Sequence, residues 1–177
     1  MKNKSISTII LGVTGSIAAY KAADLTSRLC KKGANLYVIM TESAEKLICP
    51  QTFLTLSRNP VISSLWSSSN WQPRHIQLAD EADLFLIAPA TANFIGKYAN
   101  GIADDALTTF ALAFEGKVIV APAMNPRMWR NPAVQENILS LKKRGAIIVE
   151  PEEGIVACGD YGRGRLANLD AIEKAII

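Results

Sequence analysis

With 177 residues, 49% of them hydrophobic and 20% charged, the chain can bury a real core and fits one soluble domain spanning residues 1–177. A net charge of +3 is too small and dispersed to imply nucleic acid, and no apolar run approaches the roughly 18 residues of a membrane span. The run Ile9 to Val13 is too short for a signal-peptide core, so a cytoplasmic location is expected. Three widely spaced cysteines, Cys30, Cys49 and Cys158, form no C-x-x-C and argue against both a disulfide framework and a zinc site.

The first strong element is Ile9-Ile10-Leu11-Gly12-Val13, a buried strand, followed by the turn Thr14-Gly15-Ser16 and an alanine-rich stretch with helical spacing. Gly15 eases the turn, and Ser16 stands where an N-cap hydroxyl would, so the first N–H groups of the helix should face the space above the strand. Such a terminus attracts anions, phosphate above all. The turn lacks the G-x-G-x-x-G and G-x-x-x-x-G-K-[ST] fingerprints, and a ligand-free strand-to-helix turn is the alternative.

The helix is expected to run to Lys32 and stop at Gly33 before a second buried strand, Leu36 to Met40, which makes a right-handed parallel crossover. Thr41-Glu42-Ser43 then reaches the same crevice. Its hydroxyls suit a phosphate or ribityl chain, Glu42 alone could take the ribose of NAD, and an ordinary N-cap with an acidic first turn reads equally well. Pro50 should open a short helix, and Val61-Ile62 a weak third strand. From Ser63 to Pro73 the chain reads as a long loop whose Trp66 and Trp71 suggest a partner surface.

His75, the lone histidine, falls at the start of a short helix before the strand Leu84 to Ala88; by itself it reads as a surface residue or a catalyst. That strand ends in Pro89-Ala90-Thr91-Ala92-Asn93, at the carboxyl end where open α/β sheets bind ligands. Helical segments are expected over Gly96 to Gly101 and Ala103 to Thr109. Asp104 and Asp105 are read as first-turn acids rather than metal ligands. The fifth strand, Val118 to Ala121, leads into Pro122-Ala123-Met124-Asn125-Pro126-Arg127-Met128-Trp129, followed by a helix Ala133 to Arg144 and a sixth strand Ala146 to Val149. Four glycines between Gly154 and Arg165 suggest a mobile loop carrying Cys158, and a terminal helix begins at Leu169. The pattern is α/β: a Rossmann-like (flavodoxin-like) doubly wound parallel sheet of about six strands with helices on both faces.

Four strand-end stretches thus converge: Gly15 to Lys21, Pro89 to Asn93, Pro122 to Asn125 with Met128, and Ala157-Cys158-Gly159 through Arg165. Together they resemble the FMN-dependent cysteine decarboxylases, most nearly the phosphopantothenoylcysteine decarboxylases of coenzyme A synthesis. Phe94 and Leu166 depart from that pattern, which usually has Thr and Met there. The resemblance implies that Gly15, Ser16, Thr41, Ser43, Thr91, Ala92, Asn93 and Ala123 line an FMN site. It aligns His75 with the base, Asn125 with the holder of the substrate carboxylate and Cys158 with the proton donor, and puts Met128, Ala157 and Gly159 beside the substrate. No metal is implied.

The implied reaction turns phosphopantothenoylcysteine into 4′-phosphopantetheine by thiol oxidation to a thioaldehyde, CO₂ loss and re-reduction of the ene-thiol. The resemblance also implies a homo-oligomer, a trimer or a dodecamer of trimers with the flavin at a subunit interface. A phosphopantothenate–cysteine ligase is the implied protein partner. Same-fold alternatives are oxidative peptidyl-cysteine decarboxylases, flavin prenyltransferases and, outside enzymes, phosphatase-regulatory flavoproteins.

Overall fold

The computed structural model describes residues 8–65 and 74–176, with only the backbone of residues 74–76. Trp66 and Trp71 lie outside the described residues. Six strands form one parallel sheet: β1 Thr8–Val13, β2 Asn35–Met40, β3 Val61–Ile62, β4 Leu84–Ala90, β5 Lys117–Pro122 and β6 Ile147–Ile148. Their order is β3-β2-β1-β4-β5-β6, the doubly wound arrangement expected from the sequence. Leu11 of β1 lies opposite Val38 on one side and Leu86 on the other. Both faces of these strands are covered, which is why β1 and β4 read as continuous apolar runs rather than alternating ones.

The helices are α1 Ala19–Lys31, α2 Glu42–Glu45, α3 Pro50–Ser57, α4 Arg74–Glu81, α5 Ala92–Ala99, α6 Ala106–Ala113, α7 Pro126–Trp129, α8 Pro132–Lys143 and α9 Leu169–Ile176. On one face Ile9, Leu11 and Val13 pack with Leu25 of α1, Phe53 of α3 and Ile172 of α9. On the other, Ile10, Phe85 and Ile87 meet Phe94 of α5, Phe110 of α6 and Ile138 of α8. Gly12 sets the depth of that second layer, because a Cβ there would come within 2.7 Å of Leu107 Cδ1. Phe85 is fully buried against Phe110 with ring centroids 5.0 Å apart. Truncating a ring so enclosed to alanine costs about 3–5 kcal/mol.

The ends of the elements follow local chemistry. The first helix stops as expected, with Gly33 at φ +90°. Pro50 takes the first turn of α3. α5 begins at Ala92, four residues before the expected Gly96, because the Thr91 side chain caps it by accepting from Phe94 N at 3.3 Å. Asp105 forms a capping box with Thr108 at the start of α6, and Asp104 pairs with Lys97 at 2.7 Å, so both acids have structural partners. α9 is moored to α1 through the buried Glu173, which pairs with Arg28 at 3.5 Å and hydrogen-bonds Lys32. Among the described residues, no helix is long and apolar enough to cross a membrane.

One expectation is corrected. The glycine-rich stretch is not an irregular loop but an antiparallel hairpin, β7 Glu152–Ile155 and β8 Tyr161–Arg165. β8 alternates in burial, yet its buried positions are Gly162 and Gly164, so the period-two signal carries no apolar residues. Glycine is required there. A Cβ on Gly164 would sit 2.3 Å from Met124 O, and one on Gly162 would sit 2.9 Å from Pro126 Cβ.

A candidate active site along the carboxyl edge of the sheet

The strand ends are tied to one another by a lateral run of hydrogen bonds. Thr41 N donates to Val13 O at 3.1 Å, Ala123 N to Ala90 O at 3.0 Å and Met124 N to Gly164 O at 2.9 Å. Between β1 and β4 a side chain reinforces the backbone bond from Thr14 N to Pro89 O at 3.3 Å: Thr14 Oγ1 donates to Pro89 O at 2.7 Å and accepts from Thr91 N at 2.9 Å. Thr14 is 1% exposed, so both bonds are shielded from water. They fix the β1 turn against the start of α5 at the point where strand order reverses, which is where doubly wound sheets bind ligands.

Above this edge lies a cavity of about 1430 Å³. That exceeds a typical small-molecule pocket and leaves room for a cofactor together with a substrate. Gly15, Ser16, Thr41, Ser43, Thr91, Ala92, Asn93 and Ala123 all line it, as do Asn125, Met128, Ala157 and Cys158. Gly159 is in the hairpin turn at φ +87°. His75 falls in the first turn of α4 as the sequence suggests, but its side chain is outside the described residues.

Two details differ from the sequence reading. Ser16 does not cap the helix: α1 starts at Ala19 after a tight turn, and Ser16 Oγ accepts from Ala18 N at 3.4 Å. Gly15 is needed for close approach rather than for an unusual φ, since a Cβ there would lie 2.4 Å from Ser43 Cβ. At β2, Thr41 accepts from Ala44 N as the cap of α2, while Glu42 pairs with Lys46 at 2.8 Å on the surface. Ser16, Ser43 and Thr91 line the cavity together with the apolar Ile17, Phe94, Met124 and Leu166. This donor set fits an elongated group with an anionic end and a flat apolar end, such as a flavin mononucleotide.

The other wall is the hairpin. Asn125 caps α7, its Oδ1 accepting from Arg127 N at 2.7 Å, so its Nδ2 faces outward. Nδ2 lies 3.2 Å from Cys158 Sγ and donates to Asp160 Oδ2 at 3.1 Å. The bond from Asn125 holds the Asp160 carboxyl below the usual carboxylate range, aided by the Arg127 guanidinium 3.9 Å away. Asp160 and Thr14 are the residues sequence reasoning passed over. Thr14 had a legible signal, a hydroxyl directly after a buried strand. Asp160 had none beyond its place near Cys158.

The family model for flavoproteins matches residues 1–177. The coenzyme A biosynthesis bifunctional protein CoaBC of Bacillus subtilis is 51% identical over 167 residues, 94% of this chain but only 41% of that protein. A probable phosphopantothenoylcysteine decarboxylase of Streptococcus mutans is 48% identical over 171 residues, covering 95% of this chain and 96% of that one. Among solved structures, the FMN-dependent cysteine decarboxylase SpaF superposes with a TM-score of 0.84 at 34% identity, covering 96% and 95% of the two chains. A single parallel-sheet fold, a cavity along its carboxyl edge and these likenesses agree, and the chain belongs to the flavoprotein family.

Proposed function

We propose that the chain is an FMN-dependent decarboxylase that converts 4′-phosphopantothenoylcysteine to 4′-phosphopantetheine in coenzyme A synthesis. The observation that carries this reading is the Asn125 amide and the Cys158 thiol held 3.2 Å apart on the wall of the strand-end cavity. The flavoprotein family and the Streptococcus mutans relative support it. When bound, FMN supplies a two-electron oxidant for the substrate thiol and later the matching reductant, the electron sink without which CO₂ loss from an acyl-cysteine has no outlet.

The residues divide the remaining work. Gly15, Ser16, Thr41, Ser43, Thr91, Ala92, Asn93 and Ala123 would hold the cofactor, their hydroxyls and turn N–H groups supplying donors suited to a phosphate. Asn125 presents Nδ2 to the substrate carboxylate. A neutral amide orients that group without the ground-state stabilisation a buried cation would give, which would oppose its departure. His75 takes the thiol proton, imidazole being the side chain suited to that exchange. Cys158 delivers a proton to carbon as the ene-thiol is reduced, its thiol lying on the cavity wall 3.2 Å from Asn125 Nδ2. Met128, Ala157 and Gly159 shape the substrate end.

The same reading makes the protein a homo-oligomer, a trimer or a dodecamer of trimers. The cavity wall includes Ile17 and Tyr20, 61% and 64% exposed, which suits closure by a neighbouring copy. A ligase that joins cysteine to phosphopantothenate is the natural partner, and a cytoplasmic setting suits both. The test is direct: FMN-loaded protein is given 4′-phosphopantothenoylcysteine and CO₂ and thiol products are measured. Equal amounts of CO₂ and saturated thiol are expected. No CO₂ refutes the reading, and an ene-thiol as end product places the chain with the oxidative peptidyl-cysteine enzymes.

A further inference from the structure

Both ends of the Asn125 side chain are engaged by the chain itself. Oδ1 accepts from Arg127 N, and Nδ2, which carries two hydrogens, is directed at two hairpin groups, Asp160 Oδ2 at 3.1 Å and Cys158 Sγ at 3.2 Å. One of those groups is a carboxylate, the very class of ligand assigned to this amide above. The base of the hairpin is fixed by the bond from Met124 N to Gly164 O at 2.9 Å and by the close backbone approach at Gly164. Its tip has lighter ties: Val156 N to Asp160 O and Gly159 N to Val156 O, each 2.9 Å, then the contacts of Asn125 and of Arg127 with Asp160. The Asp160 side chain is 41% exposed, so it can move into solvent without crossing the core.

We propose that Asp160 is a specificity-determining residue: its carboxylate occupies the seat on Asn125 that the substrate carboxylate must take, and it regains that seat once the ligand has lost its own carboxylate. The proposal rests on the decarboxylase reading. An internal occupant lowers the apparent affinity of every carboxylate ligand by the fraction of time the seat is free. Ligands without a carboxylate pass unaffected. The product, lacking that group, does not compete with Asp160 for the seat, so Asp160 sets how much the carboxylate adds to substrate affinity and returns to Asn125 once CO₂ has left.

The experiment is calorimetric titration of FMN-loaded wild type, Asp160→Ala and Asp160→Asn with two ligands. One is 4′-phosphopantothenoyl-alanine, which keeps the carboxylate and has no thiol to oxidise; the other is 4′-phosphopantetheine. Asp160→Ala is expected to bind the acyl-alanine about three- to tenfold more tightly than wild type, with phosphopantetheine unchanged within about twofold. Asp160→Asn keeps an acceptor without the charge and should fall between them, which guards against a hairpin damaged by truncation. Weaker binding of the acyl-alanine in both variants, or equal changes for the two ligands, overturns the proposal and leaves Asp160 as a brace for the hairpin. Failure of the underlying reading looks different: wild type then binds neither ligand, which overturns both.

Discussion

Replacing Gly15 by alanine tests the closest contact in the cofactor wall. The added methyl would stand 2.4 Å from Ser43 Cβ and 3.2 Å from Ser43 C, so the turn or the Thr41–Ser43 segment must retreat by roughly 1 Å to reach ordinary contact. Neither side is a flexible side-chain end, and Thr41 is tied back to Val13 O at 3.1 Å. Overpacking of this kind costs about 1–3 kcal/mol. In a chain of this size that lowers the melting temperature by about 3–10 °C. Because the strain falls on residues proposed to hold the cofactor, flavin retention should drop more sharply than stability. Thermal melts with and without FMN, and flavin absorbance after desalting, measure the two effects. Adding Ser43→Gly removes the nearest atom and should restore at least half of the lost stability, a coupling that distant sites do not show. A Gly15→Ala protein that melts within about 1 °C of wild type and keeps its flavin refutes the reasoning, as does a Ser43→Gly change that restores nothing.

Thr14→Val leaves Thr91 N without its acceptor and Pro89 O with only the 3.3 Å bond from Thr14 N, and should cost about 1–3 kcal/mol, read by chemical denaturation; a neutral result would mean that water replaces the hydroxyl. Asn125→Asp keeps the cap on Arg127 N but sets a carboxylate where Asp160 now accepts at 3.1 Å, so turnover should vanish while FMN stays bound. Loss of the flavin would move Asn125 into the cofactor site. Cys158→Ser should leave CO₂ release largely intact while the saturated thiol gives way to an ene-thiol, and a parallel fall of both would remove the proton-donor role. Asp160 has a lowered pKa through the Asn125 bond and Arg127, so its contribution to the closed hairpin is full above the ordinary carboxylate range and is lost as pH falls through its folded value. Exchange protection of the Val156 and Gly159 amides should therefore decline only in acid; a loss beginning near neutrality contradicts this.

The framework was legible because burial on both faces leaves β1, β2, β4 and β5 as unbroken apolar runs, and because Gly33 and Pro50 mark helix ends by their own geometry. Errors arose where a side chain or a packing partner decided the outcome. The start of α5 at Ala92 depends on the Thr91 cap, and the helical spacing of apolar residues alone does not set that residue. The hairpin is illegible as strands because Gly162 and Gly164 fill its buried positions, and what demands them lies far away in sequence: the Pro126 ring beside Gly162 and the backbone of Met124 to Pro126 beside Gly164. Convergence of Gly15, Thr41, Thr91 and Asn125 on one cavity follows from parallel topology, which brings successive strand ends to one edge, whereas Cys158 reaches it on the separate hairpin. Asp160 stayed hidden because its importance lies in one hydrogen bond across 35 positions of sequence.

The antiparallel pair β7-β8 shares no strand with the parallel sheet and meets it through the Met124–Gly164 bond and a few neighbouring contacts. In the proposed reaction the step after CO₂ loss would fall to a separable attachment. On that reading, sequence drift at residues 156–160 would retune what the protein accepts and releases while the parallel-sheet core stays untouched. Such a division lets one scaffold diversify its products without refolding itself.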